Sequence, residues 1–133
     1  SSDRIVFPVH PRTNQSIIKH ELDAEFSKSW MKISPVGHHD FTKLLKNCKR
    51  VWTDSGGIQE ESTFLKVNCI TLREETERPE TVTMGTNTLI KPSSITHKSI
   101  LELPKKKLKT PELWDGRSAG RIAKIILEYL EKL

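Results

Sequence analysis

Arg50-Val51-Trp52-Thr53-Asp54-Ser55-Gly56-Gly57-Ile58-Gln59-Glu60-Glu61 is the stretch whose reading decides the fold. Its first four residues predict a strand, Ser55-Gly56-Gly57 turns the chain, and Ile58, Glu61, Phe64 and Leu65 continue as a helix. Upstream, Ile5-Val6-Phe7-Pro8-Val9 reads as a short buried strand closed by His10-Pro11. A helix follows from about Asn14, with Ile17, Ile18, Leu22 and Phe26 on one face. Met31-Lys32-Ile33 is a short strand, and Phe41, Leu44 and Leu45 mark an amphipathic helix ending at Cys48. Downstream, Asn68–Leu72 and Thr88–Ile90 read as strands, and Ser94–Lys109 as a helix followed by a Pro-bounded connector. Ala119, Ile122, Ile126, Tyr129, Leu130 and Leu133 recur at helical spacing with Lys and Glu opposite, predicting a C-terminal amphipathic helix packed on the body. Strands alternating with short helices require a parallel sheet covered by helices on both faces. The expectation is one open α/β domain over residues 1–133.

Composition narrows the class. At 133 residues, 35% hydrophobic and 29% charged, the chain is long enough for one domain and too apolar to be disordered. No apolar run approaches the roughly 20 residues that span a bilayer, so no membrane association is expected. Cys48 and Cys69 do not make a disulfide framework and read as small buried thiols in a reducing cytoplasm. The chain opens Ser1-Ser2-Asp3 without a methionine, which reads as a cut or processed start. A net charge of +5 raises the question of nucleic acid. The densest basic run, Lys105-Lys106-Lys107-Leu108-Lys109, lies between Pro104 and Pro111 without interleaved aromatics, so it reads as a solvated linker. No nucleic-acid partner is expected; the excess charge suits capture of a small anion.

The chemistry concentrates at the predicted carboxyl ends of strands, where α/β sheets place ligands. Gly56 and Gly57 let backbone N–H groups approach a ligand closely, and the helix start favours a phosphate. Ser55 adds a hydroxyl at the mouth. Glu61, one to two turns into the helix, can accept two hydrogen bonds from a ribose diol, so a nucleotide satisfies both ends. The competing reading is that Glu60 and Glu61 only favour the helix N-terminus electrostatically. Arg73-Glu74-Glu75-Thr76-Glu77-Arg78-Pro79-Glu80 follows the next strand, and Arg78, held out of the helical region before Pro79, can face a phosphate or simply belong to a charged surface loop. His20, His38, His39 and His97 show no metal-site spacing, so no metal is expected. His10, beside Arg12 at a strand end, is either ligand-facing or structural.

These pieces, in this order, resemble the C-terminal domain of the non-hydrolysing UDP-N-acetylglucosamine 2-epimerases. The resemblance rests on Phe7-Pro8-Val9-His10-Pro11-Arg12-Thr13, Asp40-Phe41 with Leu44-Leu45, Thr53 through Glu61, and Thr76-Glu77-Arg78-Pro79-Glu80. Gly85-Thr86-Asn87 and Trp114-Asp115-Gly116-Arg117-Ser118-Ala119 fit the same pattern. It implies a Rossmann-like domain, the C-terminal half of a two-domain GT-B-type enzyme with substrate in the cleft between halves. The implied reaction converts UDP-GlcNAc to UDP-ManNAc for surface polysaccharides, by anti elimination of UDP to 2-acetamidoglucal and syn re-addition, without cofactor or metal. A cytoplasmic homodimer is implied for the full-length enzyme.

Carried over by position, Phe41 flanks the uracil with main-chain help near Val36, while Ser55, Gly56 and Gly57 hold the diphosphate. Glu61 takes the ribose hydroxyls, and Arg78 lines the same cleft. His10 matches a residue that, in bacterial members, contacts a second UDP-GlcNAc acting as allosteric activator. The acid/base carboxylates belong to the other half of such enzymes, so no residue here is assigned as catalytic. The chain departs from the family pattern at Ser62-Thr63, usually Ala-Pro, and at Lys66-Val67-Asn68, usually Gly-Lys-Pro. The alternatives are the nucleotide domain of a GT-B glycosyltransferase, against which Thr76 through Glu80 argues, and a stand-alone nucleotide-sugar binding module.

Overall fold

A computed structural model describes residues 4–25, 30–95, 106 and 109–133. The chain divides into two compact units, residues 1–43 and 44–133, each with its own parallel sheet.

In the first unit, β1 (Ile5–Pro8) pairs in parallel with β2 (Trp30–Ile33), with Ile5 opposite Trp30 and Pro8 opposite Ile33. Phe7 and Trp30 meet edge to face at 6.0 Å between ring centroids, a favoured arrangement for aromatic quadrupoles. The helix expected from about Asn14 starts earlier: α1 spans Pro11–Lys19. Pro11 sits where its missing N–H costs nothing, and His10 caps the helix by accepting the Arg12 N–H at Nδ1, 3.3 Å away. Of the expected apolar face, Ile17 is buried, Ile18 is exposed, and Leu22 falls in a separate 3₁₀ turn, Leu22–Glu25. Phe26 lies outside the described residues. α2 (His38–Asn47) begins in this unit and ends in the next.

The second unit holds β3 (Val51–Thr53), β4 (Cys69–Thr71) and β5 (Asn87–Leu89), parallel and in that order. Thr53, Thr71 and Leu89 stand in register, so the three carboxyl ends finish at one edge. Two further bonds extend the ladder there: Leu72 N–H to Thr53 O, 2.8 Å, and Ile90 N–H to Thr71 O, 2.9 Å. The central strand is buried at every residue, as a parallel strand covered on both faces must be. α3 (Gly56–Phe64) lies against all three strands and against α4 (Pro79–Thr83). The sequence reading contained no α4. Pro79 starts it at the first helical position, and its five residues are too short for a period to register. A 3₁₀ turn, Pro92–Ser94, follows β5. Most of the helix-and-connector expected over Ser94–Lys109 lies outside the described residues. Lys106, read as part of a solvated run, instead donates from Nζ to the carbonyls of Val82 and Asn87, and from its N–H to Asn68 Oδ1 at 3.2 Å. Burial pushes its pKa down.

α5 (Ser118–Leu130) is the expected C-terminal helix, but its packing differs from the expectation. Its apolar face is open, with Ile125 65% and Tyr129 64% exposed. Helical spacing fixes which side chains share a face; whether that face is covered depends on neighbours that periodicity does not specify.

Candidate nucleotide site

The sheet's carboxyl edge gathers the residues singled out after β3 and β4. Ser55 stands at the N-cap of α3 in an extended conformation, its own N–H donated to Thr53 Oγ1 at 3.0 Å. Its hydroxyl caps no helix N–H. Gly56 and Gly57 therefore present the first-turn N–H groups of a nine-residue helix with their share of positive dipole. The approach is close: a Cβ built on Gly56 would lie 3.2 Å from Glu77 Oε1. Glu77 stays strongly ionised, its carboxyl held below the usual range by its own backbone N–H and then by Arg73 and Arg78. This exposed carboxylate pairs with Arg73 Nη1, 3.1 Å away.

Glu61 lines an open cleft of 390 Å³ with Glu60, Phe64, Leu113, Trp114, Gly116 and Ser118. The segment after Pro111 is folded by Arg121, whose guanidinium bonds both Asp115 carboxylate oxygens (3.0 and 2.9 Å) and the Leu113 carbonyl (2.8 Å). That guanidinium, with the Arg117 N–H, holds the Asp115 carboxyl below its usual range. Gly116 takes the left-handed conformation (φ 76°) that completes the turn.

Arg78 is half-buried, with Nε 2.9 Å from Glu60 Oε1 in an ion pair not aligned as a hydrogen bond, and Nη1 donating to the Glu77 carbonyl at 3.2 Å. Its backbone (φ −124°, ψ 59°) is outside the helical region before Pro79, as expected. The structure thus brings Ser55, Gly56, Gly57, Glu61 and Arg78 to α3 and the adjoining loop of the second unit. Val36, Phe41 and His10 belong to the first unit: Phe41 is half-buried in α2, Val36 half-buried just before it, and His10 is the exposed cap of α1.

The sequence reading missed the polar groups beneath the site. Gln59, Thr71, Thr81 and Asn87 are each fully buried and bonded to one another or to the 76–78 loop. Hydrophobic periodicity cannot find such residues: the face of α3 that is buried carries Gln59, Ser62 and Thr63, while Phe64, read with Ile58 and Leu65 along the helix, is exposed.

The profile of the UDP-N-acetylglucosamine 2-epimerases matches residues 1–127. A Methanocaldococcus jannaschii UDP-N-acetylglucosamine 2-epimerase is 42% identical over 127 residues, 92% of this chain and 34% of its own length. A Pseudomonas aeruginosa UDP-2,3-diacetamido-2,3-dideoxy-D-glucuronate 2-epimerase is 36% identical over 131 residues, 97% of this chain and 35% of its own. The crystal structure of the Methanocaldococcus jannaschii UDP-GlcNAc 2-epimerase in complex with UDP-GlcNAc and UDP superposes with a TM-score of 0.74 at 39% identity, covering 94% of this chain and 36% of that one. This chain therefore spans about a third of the length of the relatives it matches. The fold is the Rossmann-like α/β arrangement of parallel sheets with helices on both faces, shared with the GT-B-type enzymes. Strand-edge turn, matched profile and superposed structures agree, and the chain belongs to the UDP-N-acetylglucosamine 2-epimerase family.

Proposed function

We propose that residues 1–133 are the UDP-binding domain of a longer enzyme that interconverts UDP-GlcNAc and UDP-ManNAc through 2-acetamidoglucal. The observation that carries this reading is the uncapped Ser55-Gly56-Gly57 start of α3, beside Arg78 at the sheet's carboxyl edge. In this reading the turn and Arg78 hold the diphosphate and Glu61 the ribose hydroxyls, while Phe41, with the main chain near Val36, takes the uracil. His10 is the contact for a second, activating UDP-GlcNAc. The names of the two relatives share UDP and a 2-epimerase reaction but differ in the sugar, which supports assigning this stretch to UDP rather than to sugar choice.

The chemistry suits such a division. When the bond from C1 to the diphosphate breaks, the leaving group takes the electron pair and gains negative charge. Fixed N–H dipoles and a guanidinium at that point stabilise it, and stabilise it most as the charge develops. Proton removal at C2 is assigned to no residue of this chain. A homodimer in the cytoplasm, supplying ManNAc units for surface polysaccharides, completes the proposal.

Calorimetric titration of the chain with UDP tests it. Saturable binding is expected, weakened about tenfold or more by Glu61→Ala, with no binding of GlcNAc alone. Unchanged affinity in Glu61→Ala would overturn the ribose role, and no UDP binding would overturn the assignment.

A further inference from the structure

Arg78 is held by more than its ion pair. Thr76 commits its hydroxyl hydrogen to Gln59 Oε1, 2.6 Å away, which leaves its oxygen lone pairs to accept the Arg78 N–H at 3.0 Å. On the other side, Thr81 donates its hydroxyl to the Arg78 carbonyl at 2.7 Å and accepts from Asn87 Nδ2 at 3.1 Å. Asn87 Nδ2 also reaches Gln59 Oε1, 3.0 Å away, and Asn87 Oδ1 is fixed by Thr71 Oγ1 at 2.7 Å. Both backbone polar groups of Arg78 are thus held by hydroxyls whose orientation two fully buried amides dictate. One of those amides, Gln59, rides on α3, with its N–H 3.4 Å from the carbonyl of Ser55. The buried side chains tie the Arg78 loop to the helix that carries the glycine turn.

We propose that Gln59 and Thr76 are positioning residues, which set the Arg78 arm against the Ser55–Gly57 turn and so govern how tightly a nucleoside diphosphate is held. The proposal rests on the reading of that turn as a diphosphate site. A core that merely used these groups for stability would lose UDP affinity and folding together, without regard to Arg78. A device acting through Arg78 has no effect once Arg78 is gone.

The test is a double-mutant cycle by calorimetric titration of the chain with UDP. Thr76→Val is expected to weaken UDP about five- to tenfold, Thr76→Ser to restore it, and the loss to shrink below about twofold in an Arg78→Gln background. Equal losses in both backgrounds, or failure of Thr76→Ser to restore binding, would overturn the proposal while leaving the nucleotide site standing. Absence of UDP binding by the unsubstituted chain would remove both. A second measurement needs no substitution: amide exchange followed by NMR should show the Arg78 N–H protected, and more so with UDP. An unprotected Arg78 N–H would overturn the proposal even if Thr76→Val does not fold.

Discussion

A methyl group at Gly85, in the turn between α4 and β5, would lie 2.6 Å from both Thr63 Cγ2 and the Thr81 carbonyl oxygen, two residues that are themselves fully buried. Gly85→Ala is therefore expected to destabilise the fold by about 3 kcal/mol, measured by denaturant unfolding. Gly56→Ala is the informative contrast. Its methyl would meet only the flexible carboxylate of Glu77 at 3.2 Å, so unfolding should change by less than about 0.5 kcal/mol. On the proposed diphosphate role of this turn, its UDP affinity should nevertheless fall about tenfold or more, because the methyl would crowd the backbone N–H groups assigned to a phosphate. The two glycines look alike in the sequence. One keeps a core closed and the other keeps a surface open, a distinction set by neighbours remote in the chain.

The end of α3 shows the same dependence at the scale of an element. Lys66 N–H bonds Thr63 O at 3.2 Å and Val67 N–H bonds Ser62 O at 2.8 Å, the paired bonds of a Schellman cap. That cap needs a left-handed residue, and Lys66 supplies it at φ 59°. This is a place where the chain departs from the pattern it resembles, with Lys where glycine is usual. Lys66→Gly is expected to raise stability by about 0.5–1 kcal/mol, read as a higher denaturation midpoint, because glycine takes this conformation without steric cost. At the other extreme, α5 is an amphipathic helix whose apolar face is open. Ile125→Ser, at a residue 65% exposed, should shift unfolding by less than about 0.5 kcal/mol. Ile70→Ala in the fully buried strand β4 should cost about 3–4 kcal/mol. Equal costs at the two isoleucines would show that α5 packs as the periodicity suggested.

For the whole chain, burial holds the Cys69 thiol above its ordinary value of 9.0, and does the same to Cys48. The folded chain keeps these protons at a pH where the unfolded chain has lost them. Their contribution is complete below about pH 9 and is lost as the pH rises through the folded values. The unfolding midpoint of Cys69→Ala should accordingly fall less than that of the unsubstituted chain between about pH 8 and about pH 10.5. Lys106, pushed down by burial, acts in the opposite sense in both proteins, so the difference between them isolates the thiol. As for what could be read directly, the alternation of apolar strands with short helices determined the α/β class, and a strand, two glycines and a carboxylate pointed to a candidate site whose members lie on α3 and the loop beside it. Those are local properties: period, turn chemistry and charge depend on residues near in sequence. Only the tertiary structure decided that Gln59 and Asn87 lie buried under the site, that Thr76 and Thr81 grip Arg78 from either side, and that α5 leaves its apolar face uncovered. Each of these depends on which distant side chains meet, and hydrogen-bond pairing and burial are properties of that meeting rather than of any residue's own spacing in the chain.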